Sequence, residues 1–292
     1  MKRRIYILLL MFALSFSASA QVHRVGFAVF GGANTLFADT ALTNKWGPMA
    51  GAELYYACMF SVNHSQLMLG PRTGIEIGWS NTGFEMPISE QFSNTDYLGH
   101  QIDYTVSGSV KENYNHLSVA IPLMLALKYR GFVFGAGVKA RAMLWNTAKT
   151  SISHITTTAY YPEFDVMVQD EPNIGVVQDM NYDLSGSRPT PEWHVALAAE
   201  IGYEWQLRKT RWMGFRIFAD YDVWNSFKQP ADAEPRVVSV SPITETNKVA
   251  QVTLAPIYNA ALTKFKALNI GVALTFTFDF IDDNHHCNCL PY

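Results

Sequence analysis

Three cysteines in 292 residues, Cys58, Cys287 and Cys289, are too few and too unevenly placed for a disulfide framework. Charge is also scarce. Asp, Glu, Lys and Arg make up 16% of the chain, against about 25% in soluble domains. Basic residues do not predominate, and a formal net charge of −3 excludes the electrostatic footprint of a nucleic-acid binder. Long apolar runs are missing too. Past the first twenty residues nothing approaches the roughly 20 apolar residues of a spanning helix, although 49% of residues are apolar or aromatic. A chain this apolar without spanning helices points to a membrane β-barrel, since only helices and closed barrels satisfy every backbone polar group in lipid.

What is present begins with an export signal. Lys2, Arg3 and Arg4 precede an apolar run from Ile5 to Phe16 and a Ser-Ala-Ser-Ala stretch before Gln21, the layout of a secretory signal peptide. Residues 1–20 are therefore set apart as the signal, 21–280 as the barrel and 281–292 as a short periplasmic tail. Removal of the signal leaves 19 Lys and Arg against 25 Asp and Glu, which takes the net charge from −3 to −6.

The stretch Tyr114 to Leu144 carries the clearest pattern. Leu117, Val119, Ile121, Leu123, Leu125 and Leu127 alternate with small or polar residues. After Lys128-Tyr129-Arg130-Gly131, Phe132, Phe134, Ala136, Val138 and Ala140 alternate with Gly135, Gly137, Lys139 and Arg141. A period of two predicts two strands, each longer than the about 9–11 residues needed to cross a bilayer at a tilt. The hairpin alone does not separate a lipid-facing surface from a soluble core.

Comparable alternation recurs over 25–36, 49–62, 69–84, 192–207, 215–223 after the basic turn 208–211, and 265–280, giving about eight strands. An even count suits an antiparallel up-and-down transmembrane barrel with short periplasmic turns and long extracellular loops. Segments 85–113 and 149–192 read as acidic loops, the first with five acids and one Lys, the second with seven acids and two bases. Within the second, 164–168 is a candidate short strand. Trp46, Trp79, Trp145, Trp193 and Trp224 fall near the predicted outer rim, and Trp205 and Trp212 near the inner one, as aromatic girdles require. Trp145, Trp212 and Trp224 have the wrong parity for the lipid face, so either a bulge shifts them or they lie beyond the wall. Pro122 cannot donate a ladder bond, which predicts a bulge there.

Inward positions carry Glu53, Arg72, Glu76, Lys139, Arg141, Glu200, Glu204, Arg216, Asp220 and Asp222. An eight-stranded barrel is only wide enough for side chains to fill, so these charges must pair. The expected result is a salt-bridged plug, with a narrow pore or a solvated face of a soluble protein as alternatives. His116, His194 and Asp222 are placed to meet at the outer rim, and with Ser80 or Ser118 nearby an imidazole oriented by a carboxylate could activate a hydroxyl. His285, His286, Cys287 and Cys289 are candidate metal donors, though four donors within five residues strain to surround one ion. No cofactor is expected.

The signal peptide, the strand HLSVAIPLMLALKY followed by GFVFGAGVKARAML, and the closing ALNIGVALTFTFDF resemble the PorT-like and OmpX-like small outer-membrane β-barrel proteins of Bacteroidota-type bacteria. The resemblance implies a Gram-negative outer-membrane location, lipid as surroundings, and a closing strand with Phe276, Phe278 and Phe280 that the barrel assembly machinery recognises. The tail after Phe280 departs from that pattern. The function expected is non-enzymatic: an envelope structural or interaction role toward an extracellular ligand or envelope protein, or a narrow pore. The alternative is a lipid-modifying enzyme or protease working at the rim.

Overall fold

The computed structural model describes residues 21–38, 43–62, 66–186, 193–226, 236–246, 248–255 and 265–281. Residues 1–20, read above as a signal, and His285, His286, Cys287 and Cys289 lie outside these residues. Eight antiparallel strands form the wall: β1 (Gln21–Ala38), β2 (Gly47–Ser61), β3 (Leu67–Thr95), β4 (Gln101–Tyr129), β5 (Phe132–Tyr161), β6 (Trp193–Arg208), β7 (Arg211–Asn225) and β8 (Phe265–Ile281). Each pairs with its chain neighbour, and β1 pairs with β8 from Val22↔Ile281 to Ala38↔Phe265, so the sheet closes on itself. The closing strand therefore runs to Ile281, one residue past the expected end.

The alternation decides what the wall faces. Val29, Leu54, Ile75, Ile77, Leu123, Leu125, Ile201, Ile217, Val272 and Leu274 point outward and are exposed, while Arg24, Glu53, Arg72, Glu76, Lys139, Arg141, Glu204, Arg216 and Asp220 point inward and are buried. A soluble sandwich would have the opposite polarity. This is an antiparallel transmembrane β-barrel. The β4–β5 turn is the two-residue type that such a hairpin favours, with Arg130 and Gly131 at φ of 50° and 89°.

Three tryptophans test the parity argument. The β4–β5 register shifts between Leu117 and Ser118, which adds Leu144 as an extra residue and turns Trp145 outward. A second shift between Asp222 and Trp224 turns Trp224 outward in the same way. Both join exposed Trp79 and Trp193 at one end of the barrel. Trp212 instead stays inside, donating from Nε1 to Asp279 at 2.7 Å. Pro122 does not produce the expected bulge. Its pairing to Lys139 is regular and the β3–β4 register is the same on both sides of it, with the bridges at Gly74 and Ile75 simply missing. The lost N–H is accommodated by a gap in one ladder.

The largest departure from expectation lies above the rim. Residues 85–95, 101–113 and 149–161 are not loops but continuations of β3, β4 and β5, each strand 29 or 30 residues long, with a turn at 96–100. β3 leaves its partner β2 at Ser80 and continues to Thr95, about 50 Å along the strand at 3.3 Å per residue. Met180–Gly186 and Val166–Val168 add to the β5 edge, the latter within the expected segment 164–168. The three strands thus form an extramembrane blade.

The blade has its own core. Along the inward face of β3 the residues change from Arg72 and Glu76 to Ser80 and Thr82, and then to Phe84, Ile88 and Phe92. These pack with Ile102, Tyr104, Val106, Val110, Ile152 and Ile155. A small hairpin, Val238–Val240 paired with Val252–Leu254, covers them with Val238 and Val240. Asn94 Nδ2 donates to Val240 O at 2.6 Å, and Ala250 N to Asn173 O at 2.8 Å, which fixes the cover in place. Burial pushes the Tyr104 phenol up to about 12, and its hydroxyl donates to Ile174 O at 2.6 Å.

Candidate functional site

Inside the barrel the charges form three groups stacked from the short-turn end to the rim. In the lowest, Arg24 donates to Glu204 at 2.7 Å and Asp279 at 2.8 Å. Lys128 meets Glu204 at 3.0 Å and lies 3.3 Å from the centre of the Trp212 ring. In the middle group, Arg216 joins Glu53 and Glu200, each at 3.1 Å. Arg72 binds Glu200 through both nitrogens and meets Glu53 at 3.6 Å. The two guanidiniums stand 5.4 and 4.9 Å from the ring centre of Tyr55. In the upper group, Lys139 joins Glu76 at 2.8 Å and Asp220 at 3.0 Å, and Arg141 reaches Asp220 at 3.4 Å and Glu76 at 3.9 Å.

Each carboxylate of these groups is shared or doubly bonded, which offsets the cost of taking it out of water. Glu53, Arg72, Glu76, Lys139, Arg141, Glu200, Glu204, Arg216 and Asp220, read from parity alone, all take part. Parity reading missed Arg24, Lys128 and Asp279. The signal was there: Arg24 is in phase with Gly26 and Ala28, Lys128 with Met124 and Ala126, and Asp279 with Thr275 and Thr277. A cavity of about 20 Å³ remains between the lower and middle groups, lined by Arg24, Tyr55, Arg72, Lys128, Glu204 and Arg216 among others, room for about one water.

The rim residues come together as two dyads. His194 Nδ1 lies 2.8 Å from Asp222 Oδ2, and the Ser80 hydroxyl lies 2.5 Å from His116 Nε2. Ser118 is not part of either dyad; its hydroxyl donates to Gly78 O at 3.4 Å. Asp222 also accepts from Ala267 N at 3.2 Å, a wall contact. So the serine and the carboxylate orient different histidines.

The rim dyads are also shielded from solvent. Ser80, His194 and Asp222 are buried, with Asp222 at 0% exposure. Above them sit Leu36, Phe84, Tyr114, Ala148 and Ala267, the lowest members of the blade core. Level with Phe84, its partner across the β3–β4 pair, Glu112, itself buried, accepts from Tyr114 Oη and from Thr150 Oγ1, the latter at 2.8 Å. Among the described residues no group of three or more His, Cys, Asp or Glu could hold a metal. His285, His286, Cys287 and Cys289 lie outside them.

No family model matches the chain, and no curated protein matches it. Among solved structures it is similar to Ail, the attachment invasion locus protein of Yersinia pestis, at 10% identity over 89% of this chain and 99% of that one, with a TM-score of 0.26. A second structure shows Ail in complex with the heparin analogue sucrose octasulfate, at 11% identity, 88% and 99% coverage and a TM-score of 0.23. The outer membrane protease OmpT of Escherichia coli is similar at 7% identity over 91% and 98% of the two chains, with a TM-score of 0.26. Likeness at this level carries no argument about activity. The barrel stands on the closed register of its own eight strands.

Proposed function

We propose that the protein is a non-enzymatic outer-membrane barrel of a Gram-negative envelope, of the PorT-like and OmpX-like kind, whose closed wall is a pedestal for an extracellular binding blade. One observation carries this reading: β3, β4 and β5 continue past the rim into a sheet with its own covered apolar core. A chain built to conduct would keep its lumen open, whereas this lumen is filled by paired charges and roofed by apolar side chains. The lipid around the exposed wall and the assembly machinery that inserts it are the remaining partners of this reading.

The second reading, a lipid-modifying enzyme or protease, draws on the Ser80–His116 and His194–Asp222 contacts. One experiment separates the two. The purified protein in planar bilayers is expected to give no stepwise conductance. Cells carrying His116→Ala with His194→Ala are expected to keep wild-type envelope lipids and wild-type cleavage of added peptides. Stable conductance, or loss of an activity in the double variant, would overturn the pedestal reading.

A further inference from the structure

Beyond Lys111 and Lys149, at its base, the blade is charged with one sign. Residues 86–110 and 150–186 contain nine acids, Glu90, Asp96, Asp103, Glu163, Asp165, Asp170, Glu171, Asp179 and Asp183, and no Lys or Arg. The barrel below is close to balanced, with six cations and seven carboxylates in and around its ion-pair groups. The bias therefore belongs to the blade. Arg236, just before the covering hairpin, reaches Glu90 at 4.0 Å and lies 4.6 Å from the centre of the Phe92 ring.

The tip carries exposed apolar side chains among these acids, on both faces of the sheet: Val166 lies opposite Tyr161 and Met167 opposite Tyr160. Leu98 is 64% exposed, Met167 60% and Phe164 55%, with Tyr97 and Val166 beside them. Exposed apolar clusters rimmed by polar residues mark interaction sites. The tip is also held in shape, so binding would cost little ordering. Asp96 closes the β3–β4 turn by accepting from Leu98 N and His100 N, both at 2.9 Å, and from the His100 ring at 3.0 Å. Burial opposes ionisation of Asp96, but these hydrogen bonds outweigh it and hold the carboxyl below its usual range. His100 packs edge-on against Phe164 at 5.0 Å, and Phe164 lies 6.2 Å from Tyr161, which ties the β3–β4 turn to the end of β5. Tyr160 donates to Asp165 at 2.9 Å.

From this arrangement we infer that the blade tip is a docking surface for a cationic, amphipathic polypeptide segment. The apolar side chains of such a segment meet Leu98, Phe164 and Met167, and its Lys or Arg residues meet Glu163, Asp165 and Glu171. Charge complementarity of this kind speeds encounter and rejects partners of the wrong sign. A polyanion such as the sucrose octasulfate held by Ail is repelled by the same field. This inference rests on the barrel-and-blade reading above.

The test uses the full chain in nanodiscs of zwitterionic lipid, with empty nanodiscs as control and fluorescence anisotropy as readout. The probe is a labelled Lys/Leu amphipathic peptide, compared with Glu/Leu and Lys/Ser peptides of equal length. The expected result is binding of the Lys/Leu peptide alone. Two variants, Leu98→Ser with Met167→Ser and Glu163→Gln with Asp165→Asn and Glu171→Gln, are each expected to weaken it about tenfold or more. Retained heat-dependent gel mobility shows that the variants are folded. Binding no better than to empty nanodiscs, unchanged affinity in both variants, or a preference for the Glu/Leu peptide or sucrose octasulfate would overturn the inference. None of these outcomes touches the barrel, whose failure would show as loss of heat-dependent mobility in the unaltered protein.

Discussion

A chain truncated before Leu268 is expected to aggregate or be degraded, whereas one truncated after Ile281 is expected to insert and fold. β8 is hydrogen-bonded on both sides, to β1 along its whole length and to β7 from Arg211↔Phe278 to Tyr221↔Leu268. Its loss opens two ladders at once and leaves two strand edges facing lipid, where each unpaired backbone group costs several kcal/mol. It also removes Asn269, whose amide faces Arg141, and Asp279, which holds Arg24 and Trp212. The outward aromatics Phe278 and Phe280 leave with it, as does Phe276, which stacks on Phe27 across the β1 pair at 5.2 Å. Semi-native gel migration of both truncations in vesicles gives the answer. Insertion of the shorter chain, or failure of the longer one, would mean that another segment closes the barrel.

The second large effect is expected inside. Arg216 is 2% exposed and joins Glu53 to Glu200. Arg216→Met leaves those two carboxylates to Arg72 alone and is expected to cost about 3–5 kcal/mol, as for other buried pairs that lose one partner. Adding Glu53→Gln is expected to recover part of the loss, because it removes the carboxylate left in excess. Arg141 behaves differently. Its ion pairs are to Glu76 and Asp220 rather than to Glu53 or Glu200. Costs of Arg141→Met are therefore expected to add to those of Glu53→Gln and Glu200→Gln, and not to add with Glu76→Gln. Urea unfolding in vesicles measures each cycle. Strict additivity for Arg216 with Glu53 would show that the middle group contributes no coupling.

The wall was legible in the sequence because each transmembrane strand repeats one rule: a large apolar residue outward, then a small or charged residue inward. Of the ten inward charges read from parity, nine lie in the three ion-pair groups and the tenth, Asp222, lies against His194. The rule failed where the chain leaves the membrane. In the blade, outward residues are mostly Ser, Thr, Asn and Gln, with charges of both signs at Glu85, Asp103, Lys111 and Lys149, and an acid-rich stretch between apolar strands resembles a loop when composition is weighed ahead of period. Two bulges then disguise the period itself in β5. Inward residues are Lys139 and Arg141 before Leu144, Thr150 and Ile152 between the bulges, and Ile155, Thr157 and Ala159 after His154, whose φ of 56° marks the second shift. Two one-residue insertions flip the parity twice, so no single phase fits the strand.

The rim shows a different limit. Parity and strand direction brought His116, His194, Asp222 and Ser80 to one level, and the structure places them there. Nothing in strand order specifies which hydroxyl faces which imidazole, and the pairing found separates serine from carboxylate. The roof of Leu36, Phe84 and Tyr114 over them depends on the blade, which was itself hidden.

The inverted polarity of the wall, charged within and apolar without, is tested most directly by folding the chain from Gln21 onward out of urea, in parallel, into lipid vesicles and into plain buffer. Circular dichroism and gel mobility with and without heating are read on each sample. The expected result is a β-type spectrum with heat-dependent mobility in vesicles, and aggregation in buffer. A monodisperse, stably folded protein in plain buffer would contradict the transmembrane barrel.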